Sequence, residues 1–118
     1  RVLATATFAQ DPAHFTTAPI GAIRLAAQKA GISVEQIDYF EINEAFSAVT
    51  LASIQELRLD PERVNVWGGA VALGHPIGCS GARILCTLVS ILEHYQAKIG
   101  CAAICLGGGE AVCVILER

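Results

Sequence analysis

The sequence has little charge and no concentration of basic residues. Lys and Arg together number 8 and Asp and Glu 11, which leaves a net charge of −3. A protein that binds the phosphate backbone of nucleic acid needs a basic run or patch, so no nucleic-acid partner is expected. No apolar run reaches the roughly 18 residues that cross a bilayer, so no membrane partner is expected either.

Methionine is absent, and the first residues do not form a signal-peptide pattern. We therefore expect a piece of a longer or processed polypeptide. Five cysteines are present, without a Cys-x-x-Cys pair or zinc-ligand spacing. Their odd number within apolar segments predicts free thiols, with small buried side chains as the default interpretation. The expected compartment is the cytoplasm, with mitochondria and peroxisomes as the alternatives.

The composition is more apolar than that of an average soluble domain, with 53% hydrophobic and 16% charged residues. A chain of 118 residues has room for one domain, which we place at 1–118. So little charge on so short a chain predicts a large apolar face covered by another domain or subunit.

Hydrophobic periodicity predicts the order strand, helix, strand, helix, short strand, helix, hairpin. The predicted strands cover 1–9, 37–42, 64–66, 100–106 and 110–116. The predicted helices lie between Thr17 and Gly31, over 44–57, and from Cys79 or Ser80 to about Tyr95. This order predicts an α/β fold, a mixed five-stranded sheet with helices packed on it and a C-terminal antiparallel hairpin.

The segment Gly68-Gly-Ala-Val-Ala-Leu-Gly-His75-Pro-Ile-Gly-Cys-Ser-Gly-Ala-Arg83 places one histidine at the end of a short apolar run. The proline and the flanking glycines favour a rigid, exposed turn from a strand into a helix, which suits a neutral imidazole base. A buried histidine bonded to a carbonyl is the structural alternative. A phosphate loop is disfavoured, because no lysine lies nearby and Gly-x-Gly-x-x-Gly is absent.

Asn43 follows one predicted strand, and Cys105 lies at the end of another. Asn43 is a good helix N-cap residue that is also able to face a cleft. Cys105 precedes Leu106-Gly-Gly-Gly109, whose backbone N–H groups are suited to hold an oxyanion and to lower the pKa of the thiol. Filling of the core is the alternative for this cysteine.

These three sites together resemble the three C-terminal motifs of thiolases. The motifs are Asn43-Glu-Ala-Phe46, the long segment around His75, and Cys105-x-Gly-Gly-Gly109, in the family's order and spacing. The resemblance covers essentially the whole chain and is closest to the biosynthetic, acetoacetyl-CoA type. It implies a thiolase-like α/β domain that acts on coenzyme A thioesters without a covalent cofactor.

The resemblance also implies a role for each site residue. Thiolases join two acetyl-CoA molecules into acetoacetyl-CoA and CoA, and they catalyse the reverse thiolysis. By similarity, His75 activates a nucleophilic cysteine, Asn43 holds a water of the first oxyanion hole, and Cys105 moves the α-proton. The Gly107 N–H contributes to the second hole, and the Val71 carbonyl is the expected ligand of a potassium ion.

The nucleophilic cysteine of the family lies in an N-terminal half that this sequence lacks. The resemblance therefore implies that the chain pairs with an N-terminal thiolase domain, is inactive alone, and forms a homodimer or homotetramer when complete. A longer-chain 3-ketoacyl-CoA thiolase and a non-catalytic lipid carrier are the alternatives. Three positions depart from the commonest pattern of the family: Trp67, Leu106 and Glu110. The Glu110 carboxylate is expected to raise the pKa of the Cys105 thiol.

Overall fold

The computed structural model describes residues 1–118, which form four strands and four α-helices. In chain order these are β1 (Val2–Ala9), α1 (Ala18–Ala30), β2 (Tyr39–Ile42), α2 (Ser47–Leu57), α3 (Ala70–Leu73), α4 (Ser80–His94), β3 (Ile99–Leu106) and β4 (Glu110–Glu117). Short 3₁₀ turns lie at Pro12–Thr17, Val34–Gln36 and Pro61–Arg63. The α/β class and the C-terminal hairpin are confirmed.

The strands form one mixed sheet in the order β1-β4-β3-β2. β4 is antiparallel to both of its neighbours, whereas β2 and β3 are parallel. Because parallel strands end at the same edge of a sheet, the residues that follow β2 and those that end β3 lie side by side. This edge brings Asn43 close to the end of the strand that carries Cys105.

The predicted fifth strand, 64–66, is wrong. Val64 makes a single parallel bridge to Phe40, and the chain then turns at Asn65, whose φ is +49°. The Asn65 side chain takes the place of a strand partner: its Oδ1 accepts from the Ile42 N–H and its Nδ2 donates to the Ile42 carbonyl, each at 2.8 Å. One amide thus satisfies both backbone groups of Ile42, and the sheet has four strands.

Helices cover both faces of the sheet. Helix α1 presents small residues to β1 and β4, and Ala18, Ala22 and Ala26 are fully buried there. Helix α4 packs on β2 and β3, with Leu88 fully buried against Ala102. Burial of one such leucine side chain contributes about 1.5–3 kcal/mol, so these contacts hold α4 firmly on the strands next to the site.

The turn between β3 and β4 requires glycine at position 109. Gly109 has a φ of +90°, and its carbonyl accepts from the Gln10 N–H at 3.0 Å, so that the turn is bonded to the end of β1. A Cβ at this position would collide with the Gln10 carbonyl oxygen and lie 3.0 Å from the Pro12 Cα.

We expect Gly109→Ala to lower the unfolding free energy by at least about 3 kcal/mol, because left-handed strain adds to the collision with backbone. Thermal melting of the complete polypeptide measures the loss. Gly108→Ala is the matched control, since a Cβ there meets only ordinary contacts of 3.6 Å or more. Equal melting temperatures for the two variants would contradict the prediction.

Candidate functional site

His75 lies between two helices rather than in a strand-to-helix turn, which corrects the sequence-based expectation. The apolar run before it forms α3, and α4 begins at Ser80. Helix α3 starts where Glu44 Oε2 accepts from the Val71 N–H at 3.0 Å, and it ends at Gly74, whose φ is +90°. A carboxylate at the first turn offsets the unpaired N–H groups there, which explains why so short an apolar run becomes helical.

Ser80 holds the imidazole of His75 through one ring nitrogen. The Ser80 hydroxyl lies 2.6 Å from His75 Nδ1 and 3.1 Å from the Pro76 carbonyl oxygen. In the tautomer with its proton on Nδ1, the Ser80 oxygen accepts from Nδ1–H while its hydroxyl donates to Pro76. That tautomer leaves the lone pair on Nε2, which is the form that a general base needs.

Asn43 does not cap the helix that follows it. Helix α2 begins at Ser47, with Phe46 in the N-cap position. Asn43 is fully buried, and its Nδ2 lies 3.5 Å from each ring nitrogen of His75. Its Oδ1 has no hydrogen-bond partner, although buried polar atoms almost always have one. The side chain therefore presents an unused acceptor beside the imidazole.

Cys105 and Gly107 line the same cavity as His75. This cavity has a volume of about 350 Å³, and its other lining residues are Phe15, Ala45, Phe46, Ile77 and Leu106. Cys105 is 7% exposed, whereas Gly107 is exposed. The structure thus brings three of the sequence-predicted site residues to one cavity, and it places Asn43 in contact with the histidine.

The thiol of Cys105 is a weaker acid than an ordinary cysteine. Burial raises its pKa, and a hydrogen bond from its own backbone opposes part of that rise. The expected lowering by the glycine run is therefore wrong for this chain, because loss of solvent outweighs the nearby N–H groups. The sequence also predicted a rise in this pKa caused by the Glu110 carboxylate. The rise is present, but its cause is desolvation of the thiol. A thiolate formed here would be a strong base.

The prediction of free thiols is confirmed, since all five cysteines are unpaired. The default of burial holds for Cys101, Cys105 and Cys113 but is wrong for Cys79 and Cys86, which are exposed.

Sequence reasoning missed two polar side chains next to this site, Ser80 and Glu41. Both are fully buried, in α4 and β2 respectively. Each interrupts an otherwise apolar pattern, and that interruption was the available signal. Glu41 faces Arg83, whose Nη1 lies 4.0 Å from Oε2.

Burial raises the pKa of Glu41 from 4.5 to about 7, against the attraction of Arg83 and with a smaller increase from Glu44. A raised carboxyl pKa means that the native state holds a proton that the unfolded state releases. The stability from this group is complete below pH 4.5 and is lost as pH rises through about 7. The loss amounts to about 3 kcal/mol at 1.36 kcal/mol per pKa unit.

We therefore expect Glu41→Gln to melt above the wild type at about pH 8 and together with it at about pH 5, where Glu41 is protonated. Melting of the complete polypeptide at both pH values checks this result. A constant difference between the two proteins at both pH values would contradict it.

The predicted cation ligand, Val71, offers one backbone carbonyl at an exposed position. One carbonyl is a single ligand, and hard cations need several oxygen ligands. Potassium binding at Val71 therefore stays a prediction, and no chemical step is assigned to it.

Large apolar side chains surround the cavity and face solvent in this chain. Ile77 is 86% exposed, and Phe46, Val71 and Leu73 are each more than 60% exposed. Exposed apolar groups concentrated in this way mark a surface that another protein segment covers. None of the helices has the length and hydropathy that a membrane span requires.

The fold and these side chains define an α/β domain with a histidine–cysteine site at one edge of its sheet. The family model described as "Thiolase, C-terminal domain" matches residues 1–118, the whole chain. The chain therefore belongs to the thiolase family.

Known relatives agree with this assignment. The chain is 58% identical over 110 residues to acetyl-CoA acetyltransferase of Schizosaccharomyces pombe, covering 93% of this chain and 28% of that protein. It superimposes on human mitochondrial 3-ketoacyl-CoA thiolase with a TM-score of 0.97 at 40% identity, covering 100% of this chain and 30% of the other. For an Ascaris suum thiolase in complex with coenzyme A the TM-score is 0.90 at 52% identity, with 99% and 30% covered.

The chain thus spans less than a third of the length of these relatives.

Proposed function

We propose that the chain is the C-terminal catalytic part of an acetyl-CoA C-acetyltransferase. In this proposal the complete polypeptide condenses two acetyl-CoA molecules to acetoacetyl-CoA and CoA, and it catalyses the reverse thiolysis. The observation that carries the proposal is the meeting of His75, Cys105 and Gly107 in one cavity, with His75 held by the Ser80 hydroxyl. The high identity to an acetyl-CoA acetyltransferase supports the choice of substrate.

The first half-reaction needs a thiolate nucleophile, which a cysteine of the missing N-terminal half supplies. His75 Nε2 takes the proton of that thiol as general base. The same Nε2–H then donates to the thioester oxygen as negative charge develops on it. The unused acceptor of Asn43 suits a bound water that donates a second hydrogen bond to this oxygen. The nucleophile becomes acetylated, and the departing CoA thiolate takes the proton of the Cys105 thiol, so that CoA leaves and Cys105 becomes a thiolate.

The second half-reaction needs a base for the α-carbon of another acetyl-CoA. The Cys105 thiolate removes the α-proton, and the resulting carbanion attacks the acetyl group on the nucleophile. The exposed Gly107 is free to direct its N–H at the oxygen of the tetrahedral intermediate. The departing thiolate of the nucleophile takes back the proton that His75 holds, and Cys105 keeps the α-proton, so that all three groups regain their starting forms. The raised pKa of Cys105 suits removal of the α-proton, because a thiolate whose conjugate acid has a higher pKa is a stronger base.

The remaining parts of the proposal concern the whole protein. An N-terminal thiolase domain covers the apolar surface around His75, so the 118-residue chain is inactive alone. The complete protein is a homodimer or homotetramer. The five free thiols support a reducing compartment such as the cytoplasm. Mitochondria are the alternative compartment, because one relative of known structure is a mitochondrial thiolase.

The test is thiolysis of acetoacetyl-CoA by the complete polypeptide, with the 118-residue chain measured beside it. We expect turnover by the first and none by the second. Likeness to a 3-ketoacyl-CoA thiolase makes a longer-chain activity the second candidate, and a chain-length series separates the two. Absence of both turnover and a covalent acyl-enzyme would leave a non-catalytic carrier.

A further inference from the structure

A buried pair of opposite charges joins the strand that precedes Asn43 to the helix that follows His75. Glu41 of β2 is fully buried, and the side chain of Arg83 of α4 is 18% exposed. Their nearest atoms are 4.0 Å apart, and four of their polar atoms have no hydrogen-bond partner: Glu41 Oε1 and Oε2, and Arg83 Nε and Nη1.

Such a pair is a poor source of stability. Removing two charges from water costs several kcal/mol for each, and an attraction without hydrogen bonds does not recover that cost. Apolar residues of similar size would often be as stable or more so. A costly pair that is nevertheless present at a site indicates a task other than holding the fold together.

The placement of the pair indicates that task. Glu41 precedes Asn43 by two residues, so the two side chains project from the same side of the strand. Arg83 follows Ser80 by three residues, so these two share one face of α4. Glu41 is therefore next to Asn43, whose amide contacts His75. Arg83 is next to Ser80, whose hydroxyl bonds His75 Nδ1. The charge pair and the imidazole are two parallel links between the same two elements.

We propose that Glu41 and Arg83 are positioning residues, which fix α4 against β2 and so set the distance between Asn43 and His75. This inference rests on the proposed function. Catalytic groups need to be held within about 0.5 Å of their working geometry by residues whose own positions are fixed.

The proposal requires Glu41 to be ionised under assay conditions. Its pKa of about 7 satisfies this requirement at about pH 8, with Arg83 of α4 and Glu44 of the segment after β2 as the charged groups that affect it.

The experiment uses the complete polypeptide at about pH 8 and three changes: Glu41→Gln, Arg83→Met and the double substitution. We expect each single change to lower kcat for acetoacetyl-CoA thiolysis about tenfold with KM within about twofold, since a misplacement under 1 Å costs less than 10²-fold. The double variant should be no slower than either single one, because both remove the same link. Arg83→Lys, which retains the charge, should recover most of the rate.

Melting temperature separates positioning from simple damage. Glu41→Gln should be slower although its melting temperature is not lower, a combination that a purely structural residue would not produce. Ser53→Ala is the matched control: Ser53 is a fully buried polar residue that bonds only the Val49 carbonyl of its own helix at 2.9 Å, so its kcat should stay unchanged. If Arg83→Met does not fold, Glu41→Gln and Arg83→Lys decide the matter.

The proposal is overturned if Glu41→Gln keeps the wild-type kcat, if its loss of rate follows a loss of stability, or if the two single effects multiply to about 10²-fold. A wild-type polypeptide without thiolysis would instead refute the proposed function. Crystal structures of the wild type and Glu41→Gln then test positioning directly. A change of more than about 0.5 Å between Asn43 and the His75 ring supports it, and an unchanged distance overturns it.

Discussion

Replacing His75 by alanine should lower kcat/KM for thiolysis at least about 10²-fold in the complete polypeptide, the scale expected for one positioned acid–base group. The loss has two sources. No base remains to ionise the nucleophilic thiol, and no Nε2–H remains to stabilise the thioester oxygen. A stopped assay that follows covalent acylation of the polypeptide should show the same loss, because His75 acts before the second substrate reacts.

His94→Gln is the matched control for this substitution. His94 is exposed at the last residue of α4, whereas Ser80 at the first residue holds His75. Fifteen helical residues separate the ends of α4 by roughly 20 Å, so the control changes a histidine outside the cavity. Comparable turnover by His75→Ala and the wild type would refute the role proposed for His75.

Replacing Cys105 by serine should abolish removal of the α-proton, with a loss of condensation of about 10³-fold. Serine has nearly the same shape, but its hydroxyl is a much weaker acid than even a buried thiol, so the alkoxide base does not form. Exchange of the acetyl-CoA methyl protons with deuterated solvent, followed by NMR, measures this step alone. We expect exchange by the wild type and none by Cys105→Ser.

Cys86→Ser controls for the general loss of a thiol, because Cys86 is free and exposed on α4. Exchange in Cys105→Ser at the wild-type rate would show that another group removes the proton. Together, the His75 and Cys105 substitutions separate the two half-reactions, since each residue has its main role in a different one.

Local patterns in the sequence were sufficient for most elements of the fold. The spacing of apolar residues placed α1 before Gly31, which adopts the left-handed conformation that ends the helix, and the glycine run placed the β3–β4 turn. The same patterns failed where a distant side chain replaced a backbone partner. Asn65 bonds Ile42 in place of a fifth strand, and Glu44 supports the helical turn of α3.

The candidate site shows the same division. His75, Asn43 and Cys105 were identified from motifs, but Ser80, Glu41 and Arg83 act through neighbours that are distant in sequence or on another element. The cause of the raised Cys105 pKa was also missed, because the sequence displays the glycine N–H groups and the Glu110 carboxylate near the thiol and not the burial around it. The burial of a side chain and its contacts with other elements depend on tertiary packing, so the local sequence pattern did not predict them.

The pairing of the first strand with the last has a consequence for synthesis on the ribosome. Val2 pairs with Leu116, so the sheet closes only after nearly the whole chain has been made. At about 5–20 residues per second, β1 waits roughly 6–24 s for its partner. During that interval its backbone edge is unpaired and available to other nascent chains. Chaperone dependence and yield at low temperature should therefore be sensitive to changes in β1 that leave the finished protein equally stable.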